Sequence, residues 1–426
     1  MREMIIIGFL GCGNIGCGVW ELLRSFEDDL MHRGNFSFRV KRILVRDLAK
    51  HRSAQIPQAL LTTSPADVTD DPEITLVAEF MGGEQPATAY MLRALENGKT
   101  VVTANKMALS LNWHLLQGAA ERHGAGLYYE AAVCGAIPIV RTIMDSLSAN
   151  RIDTLMGIIN GTTNYILTRM SREGCDYQAV LRDAQRLGLA EPDPTSDVEG
   201  YDAAYKLSIL ASLAFHARVP VDVIYRQGIT QIEKADIALG KKLGYTLKLL
   251  AIAKRAGDVI DVRVHPAFIP DQHPLAAVND SFNAVFLHGH ACQDMMLLGC
   301  GAGSAPTASA VVGDMLCAAE RDKPRHPTFR NTAHLSPLLH VTDNWHCSFF
   351  IRLLASDQPG VLGKITACLG QEGVSIRSLM QLDASDGCAP IVMITHIAGE
   401  CAVRRALAAI DPACARVESM IRVEGR

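Results

Sequence analysis

Residues Met4-Ile5-Ile6-Ile7-Gly8-Phe9-Leu10 form an unbroken apolar run that stops at Gly11-Cys12-Gly13-Asn14-Ile15-Gly16. A short apolar run ended by glycine reads as a strand buried on both faces. The amphipathic stretch Val19–Phe26 that follows reads as a helix. A strand turning through Gly-x-Gly-x-x-Gly into a helix admits few folds. The first glycine permits a tight turn, the second lets backbone approach a pyrophosphate, and the third lets helix pack on strand. The phosphates then rest on the unpaired N–H groups at the helix N-terminus. Gly11, Gly13, Asn14, Ile15 and Gly16 are therefore the expected dinucleotide contacts, with a structural glycine turn as the plainer alternative.

Strand-like segments recur at Phe38–Val45, Ile74–Phe80, Thr100–Thr103 and Leu127–Ala132, with helical patterns such as Thr88–Asn97 between them. Strands alternating with helices predict an α/β, doubly wound Rossmann-type domain over residues 1–135. The second strand of such a domain ends at the residue that reads the ribose, here Val45-Arg46-Asp47 with Lys50 close behind. A lone carboxylate suits a free 2′-hydroxyl, whereas Arg46 and Lys50 suit a 2′-phosphate. The cluster favours NADP(H) with NAD(H) still possible; a solvated charged loop is the competing reading.

The chain has 426 residues, enough for two or three domains. Beyond residue 135 the pattern changes. Arg151–Ile159 reads as a strand, Asn160-Gly161-Thr162-Thr163-Asn164 as a turn with a helix N-cap leading into Tyr165–Arg172, and Tyr177–Leu187 and Tyr201–His216 as helices. Strands at Leu247–Ala253, Val259–Phe268, Phe282–His288 and Met295–Leu298 follow without full helices among them. An α+β substrate and dimerisation domain is expected over 136–320, closed by a helix near Ala305–Ala319. A polar linker, 321–345, leads to 346–426, where the order βαββαβ predicts a ferredoxin-like unit.

Composition narrows the partners. Lys and Arg number 41 against 45 Asp and Glu, so no basic excess points to nucleic acid. No apolar run approaches the roughly 18 residues that would span a bilayer. Twelve cysteines are scattered without any C-x-x-C pair, which favours reduced thiols and a cytoplasmic protein. The short apolar start with Arg2 alone as basic flank is read as a strand, not a secretion signal.

The richest chemistry lies in Gly188-Leu189-Ala190-Glu191-Pro192-Asp193-Pro194, Asp197, Gly200, Asp202 and Lys206. Asp202 and Lys206, four apart, share one helix face. By itself that is an ordinary surface ion pair; an acidic, proline-stiffened loop entering the same helix makes it a candidate site. Removing a hydride from an alcohol carbon leaves a proton on oxygen that needs a positioned acid/base. A lysine serves if burial lowers its pKa, while a neighbouring carboxylate works the other way.

This constellation closely resembles the signature of homoserine dehydrogenases. Glu79-Phe80-Met81-Gly82-Gly83, Thr103-Ala104-Asn105-Lys106, Glu130-Ala131-Ala132-Val133 and Asn160-Gly161-Thr162-Thr163-Asn164 support it, over nearly the whole chain to about residue 320. The resemblance implies NAD(P)-dependent interconversion of L-aspartate 4-semialdehyde and L-homoserine, in the branch leading to threonine and methionine. It implies Lys206 as proton donor and acceptor, Lys106 as a second polar contributor, and Glu191, Asp202 and Asp197 around the substrate. It implies cofactor contacts at Gly82, Thr103, Lys106, Gly188, Glu191 and Gly303. A monovalent cation, Na+ or K+, is implied at Glu130, Val133, Gly135 and Ile137. The tail resembles an ACT domain through Asp357-Gln358-Pro359-Gly360-Val361-Leu362. That implies an amino-acid effector, typically threonine, and a homodimer or homotetramer; a module that only dimerises is the alternative. Two other readings stand beside this one: a Rossmann dehydrogenase of another small amino or hydroxy acid, and a non-catalytic amino-acid sensor. Cys134 reads as packing and not as a nucleophile, and His288 with His290 lacks a third zinc ligand.

Overall fold

The computed structural model describes residues 3–29, 36–320, 324, 326, 327, 329 and 332–425. The first six strands are β1 (Glu3–Leu10), β2 (Phe36–Leu44), β3 (Leu61–Thr62), β4 (Leu76–Glu79), β5 (Thr100–Thr103) and β6 (Leu127–Tyr128). They form one parallel sheet in the order β3-β2-β1-β4-β5-β6. Strands buried on both faces need helices above and below, which explains the continuous apolar runs. Ile7, Phe9 and Leu10 of β1 are fully buried. The chain order reverses between β1 and β4, so the crevice for a ligand opens beyond their C-terminal ends.

Two helices cover this sheet in ways the sequence reading did not specify. Lys106 begins a helix, Lys106–His123, with Asn105 as its cap, instead of lying on a loop. The helix Ser304–Glu320, expected to close the second domain, packs on the first. Its Ala308, Val311 and Met315 share a core with Ile7, Phe9 and Val19. The stretch after Tyr128 is also not strand: Glu130–Ala132 form a helical turn, fixed by a hydrogen bond from the Glu130 amide to Asp314.

The second sheet is mixed. Its strands are β7 (Ile152–Ile158), β8 (Tyr225–Arg226), β9 (Tyr245–Ala256), β10 (Val259–Pro270), β11 (Phe282–Gly289), β12 (Gln293–Cys300) and β13 (His340–Val341). The tail adds β14 (His346–Ser356), β15 (Ile376–Gln381), β16 (Cys388–Thr395), β17 (Ala398–Gly399) and β18 (Ala415–Val423), with helices Val361–Gln371 and Glu400–Ala408. This is the βαββαβ order read from the sequence. The tail does not stand apart: β18 pairs in parallel with β10 through Ala267–Arg422 and Phe268–Val423. One sheet therefore runs β12-β11-β7-β9-β10-β18-β14-β16-β15. A helix at Lys234–Lys242, absent from the sequence reading, packs near this seam. Arg321, Asp322, Lys323 and Arg325 of the polar linker lie outside the described residues.

Candidate active site

The glycine fingerprint opens the helix Asn14–Ser25 with Gly13 as cap and no capping side chain, leaving the first N–H groups available. Gly11 has φ +97°, and a Cβ there would press on Phe80 and Met81. No atom lies within 4 Å of where a Gly13 Cβ would be, so the approach to the backbone is open. The cleft over this turn has a volume of about 670 Å³ and is lined by Gly11, Gly13, Arg46, Lys50, Met81 and Gly82, among others. Those are the features a pyrophosphate needs, and the residues fit a dinucleotide. Asn14 borders the second glycine segment: Ser304, next to Gly303 (φ +119°), donates to the Asn14 carbonyl at 2.7 Å. Ile15 is half-buried behind the turn.

At the end of β2 the exposed Arg46 and Lys50 face the cleft, and Arg52, which the sequence reading passed over, joins them. Its guanidinium donates to the Lys50 and Asp47 carbonyls at 2.8 and 2.7 Å, while the Ala49 amide occupies one Asp47 carboxylate oxygen at 2.8 Å. This rim is therefore dominated by cations.

Lys106 is aimed from a buried network. Glu79, fully buried, accepts from Thr103 Oγ1 at 2.6 Å and from the Met81 amide at 2.7 Å. Asn105 donates to the Gly83 carbonyl at 2.7 Å and caps the helix by accepting from the Ala108 amide. Thr103, expected to touch the cofactor, has its hydroxyl spent on Glu79 and no exposure, so its side chain braces the loop and does not face the cleft.

From here the site crosses into the second domain. Lys106 Nζ lies 3.3 Å from Asp202 Oδ1, and Lys206 Nζ lies 2.6 Å from Asp202 Oδ2. Lys206 also donates to the Ile159 carbonyl at 2.9 Å and is 9% exposed, far from bulk solvent. Asn160, which caps the helix Gly161–Glu173, donates to both Asp197 and Asp202 at 2.7 and 2.9 Å. Burial pulls Lys206 towards its neutral form, but Asp202, Cys134 and Asp197 outweigh it and its pKa is raised. Burial opposes the charged form of Asp202 too, yet Lys206, Lys106 and Asn160 hold its pKa well down. The free-amine lysine that burial alone would give is thus not the resting state; the pair is a salt bridge. Asp197 is pushed upward by burial and by neighbouring Asp202.

Glu191 is exposed on its loop and its carboxylate makes no ion pair among the described residues. Gly188, at φ +72°, has open space before it, and Thr162 Oγ1 ties this loop down by donating to the Leu189 carbonyl at 2.9 Å. Among the described residues, the hydrogen-bond partners of Lys206 are Ile159 and Asp202 and not Glu191 or Gly188.

Around the expected cation loop, both Glu130 carboxylate oxygens accept backbone amides, from Val140 at 2.8 Å and Arg141 at 2.9 Å. Its carboxylate therefore serves the following helix. Of the backbone carbonyls there, those of Glu130 and Ile137 already accept the Val133 and Ile139 amides at 3.3 and 2.8 Å, which leaves those of Val133 and Gly135 as the donors for a monovalent ion. Among the described residues no group of three His, Cys, Asp or Glu could hold a metal ion. Cys134 is buried, its thiol pushed up to about 12 chiefly by burial, which rules out a ready thiolate. All twelve cysteines are free, and no helix among the described residues is long and apolar enough to cross a membrane.

A dinucleotide cleft at a Rossmann switch point, and a buried lysine paired with a carboxylate that the nucleotide-binding domain reaches through Lys106, define an α/β oxidoreductase of the NAD(P)-dependent dehydrogenase class. The family model described as "Homoserine dehydrogenase, NAD binding domain" matches residues 11–130, "Homoserine dehydrogenase" matches 138–316, and "ACT domain" matches 349–411. The homoserine dehydrogenase of Bacillus subtilis is 40% identical over 429 residues, covering 99% of each chain. That of Synechocystis is 41% identical over 437 residues, covering 98% of this chain and 99% of its own. A crystal structure of a homoserine dehydrogenase from Thiobacillus denitrificans matches with a TM-score of 0.91 at 38% identity, covering 100% and 99% of the two chains. The chain belongs to the homoserine dehydrogenase family.

Proposed function

We propose that the protein interconverts L-homoserine and L-aspartate 4-semialdehyde with NADP(H) preferred over NAD(H), Lys206 exchanging the proton on the substrate oxygen. The observation that carries this is the buried Lys206 ammonium held by Asp202 and the Ile159 carbonyl. The bound nicotinamide supplies or accepts the hydride. Everything else falls to the chain. In the reducing direction the ammonium donates its proton to the oxygen of the aldehyde as hydride arrives. In the oxidising direction the amine form takes the hydroxyl proton, and Asp202 stabilises the ammonium that results. The Asp202 Oδ1 oxygen, shared among the described residues only with the half-exposed Lys106, is left for the substrate's own ammonium, with Glu191 and Asp197 as the outer anions.

NADP(H) preference rests on Arg46, Lys50 and Arg52 outnumbering Asp47 at the end of β2. Regulation by an amino acid, threonine first, rests on the ACT fold of the tail and its turn at Gly360 (φ +89°). A monovalent cation on the Val133 and Gly135 carbonyls would brace the loop beside Cys300 and Gly301, and no proton or hydride step passes through it. A cytoplasmic homodimer or homotetramer completes the reading.

The test is homoserine oxidation, followed by the absorbance of reduced coenzyme, with NAD and NADP separately and with or without threonine. Lys206→Ala should lower kcat by ~10²–10⁴-fold with coenzyme affinity intact. Turnover left at the wild-type level removes Lys206 from the mechanism.

A further inference from the structure

The helix Tyr201–Ala214 carries Asp202 on its first turn and Lys206 on its second, yet it begins at a glycine. Gly200 sits at φ +79° and no side chain caps the helix. The orientation of that first turn must then be set from outside it. One strip of chain does so. The Ile229 amide donates to the Val198 carbonyl at 2.9 Å, and Thr230 Oγ1 donates to the Glu199 carboxylate at 2.9 Å. Arg226 donates to the Glu199 carbonyl at 2.6 Å, and its guanidinium lies 3.4 Å from the centroid of the Tyr201 ring. Gly228 has no room for a Cβ against the Val198 carbonyl and Glu199, so strip and turn are in full contact.

The other side of the same strip is held by the tail. Arg422 of β18, 1% exposed, donates to Gln227 Oε1 at 2.7 Å and to Tyr225 Oη at 3.3 Å. It is itself fixed by a two-pronged pair with Glu400, at 3.0 and 2.6 Å. The Gln227 amide bonds to the Val264 carbonyl of β10 at 2.8 Å, close to the β10–β18 seam. Strip 225–230 is thus clamped between the tail's sheet and the turn that enters the catalytic helix.

We propose that Arg226 is a positioning residue for the Asp202–Lys206 pair, and that strip 225–230 makes the ACT module part of what holds the active site in register. This rests on the homoserine dehydrogenase reading, so turnover of homoserine by the wild type is established first; its absence would overturn that reading and leave the clamp to be judged by the variants' structure. The groups facing Lys206 are Asp202, Asp197, Cys134 and the Ile159 carbonyl.

Three variants of the full chain decide it: Arg226→Ala, Arg226→Lys and Gln227→Ala. Gln227→Ala removes the shorter of the two Arg422 ties and leaves the longer one to Tyr225, the Arg422–Glu400 pair and the Arg226 contacts in place. Arg226→Ala should lower kcat for homoserine oxidation by about tenfold or more, since small misplacement at a reacting pair is costly. The coenzyme KM should stay within about twofold. The acid limb of the pH profile should move to lower pH, because a loosened Asp202 stabilises the Lys206 ammonium less. Arg226→Lys should recover part of both effects, and Gln227→Ala should show the same displacement at smaller size. An Arg226→Ala protein with wild-type circular dichroism whose acid limb and kcat are unmoved overturns the positioning role. So does equal damage in Arg226→Ala and Arg226→Lys with no displacement of the limb. A Gln227→Ala profile identical to wild type overturns the link to the tail through Gln227.

Discussion

Replacing Asp202 with Asn removes one charge from the centre of the site and nearly nothing else. The side chain keeps its size, and its remaining oxygen can still accept from Asn160 or from a lysine. In the native site the carboxylate sits 2.6 Å from Lys206 Nζ and 3.3 Å from Lys106 Nζ, with Asp202 itself 5% exposed. An opposite charge at this range in a buried position moves a pKa by ~1–3 units, which is ~1.4–4 kcal/mol. The sign is fixed by which form it favours. The native pKa of Lys206 is raised, so the ammonium is the favoured form and Asp202→Asn must lower it. Homoserine oxidation needs the amine, so the acid limb of kcat/KM should shift by ~1–3 pH units towards acid. At the same time the homoserine KM should rise, since the substrate ammonium loses its partner at Oδ1. Linkage adds a second reading. A raised lysine pKa contributes stability that is fully present below the unfolded value of ~10.4 and is lost only as pH rises through the folded one. Asp202→Asn should therefore be less stable throughout neutral pH, by denaturant titration. A limb that stays where the wild type has it, with a folded variant and reduced turnover, would refute the electrostatic coupling and leave Asp202 a merely structural group.

Gly13→Ala should leave stability unchanged, because φ is −88° and nothing lies near the new methyl group; coenzyme affinity, by calorimetry, should fall ~10-fold or more as backbone approach is lost. An unchanged affinity would place the pyrophosphate elsewhere. Arg46→Ala should raise the KM for NADP by ~10-fold, a charge-assisted bond's worth, and barely alter that for NAD; equal effects on both would mean the rim does not read the 2′ position. Asp314, whose pKa is pushed up to about 7 by burial and then by Glu130, should make the protein lose stability as pH rises from about 4 towards 7. The unfolded carboxyl ionises across that window while the native one stays protonated, a difference on the order of 4 kcal/mol. Asp314→Asn should flatten the dependence in denaturant titrations at pH 5 and pH 8; a slope equal to wild type would sink the assignment.

What could be read in the sequence was whatever local pattern dictates. The apolar runs, the glycine turn and the capped turn at 160–164 each act within a few residues; the helices after both turns begin earlier than periodicity alone marks them, at Asn14 and Gly161. Asp202 and Lys206 share a face because helix geometry requires it. What could not be read depends on partners hundreds of residues away. Nothing local in Ser304–Glu320 says that its apolar side covers β1 and not the second sheet. Nothing in Ala267 and Phe268, or in Arg422 and Val423, says that they pair. The partner of the Thr103 hydroxyl is out of reach for the same reason. The position of Thr103 after a strand fits a ligand contact, and only the placement of Glu79 on the neighbouring strand shows where its hydroxyl goes. Arg52 escaped because a charged residue in a loop carries no signal until the loop's fold brings it to the cleft.

The same distinction explains why the chemistry is split across domains. Lys106 is delivered by the nucleotide-binding domain, through Glu79 and Asn105, whereas Asp202 and Lys206 are delivered by the helix of the second. Their meeting point is one carboxylate, so the distance between the domains enters directly into the charge balance at Lys206. If coenzyme draws the two domains together, Lys106 approaches Asp202 and takes a larger share of its charge. Less is then left for the Lys206 ammonium, whose proton becomes easier to give up. Coenzyme binding and proton affinity at the reacting lysine are in this way one equilibrium, and linkage requires that each shift the other equally. On that account coenzyme binding should release protons at alkaline pH, and Lys106→Ala should suppress that release. Calorimetry in buffers of different ionisation enthalpy measures the protons directly. Proton release of the same size in Lys106→Ala and in the wild type would show that the two lysines do not compete for Asp202.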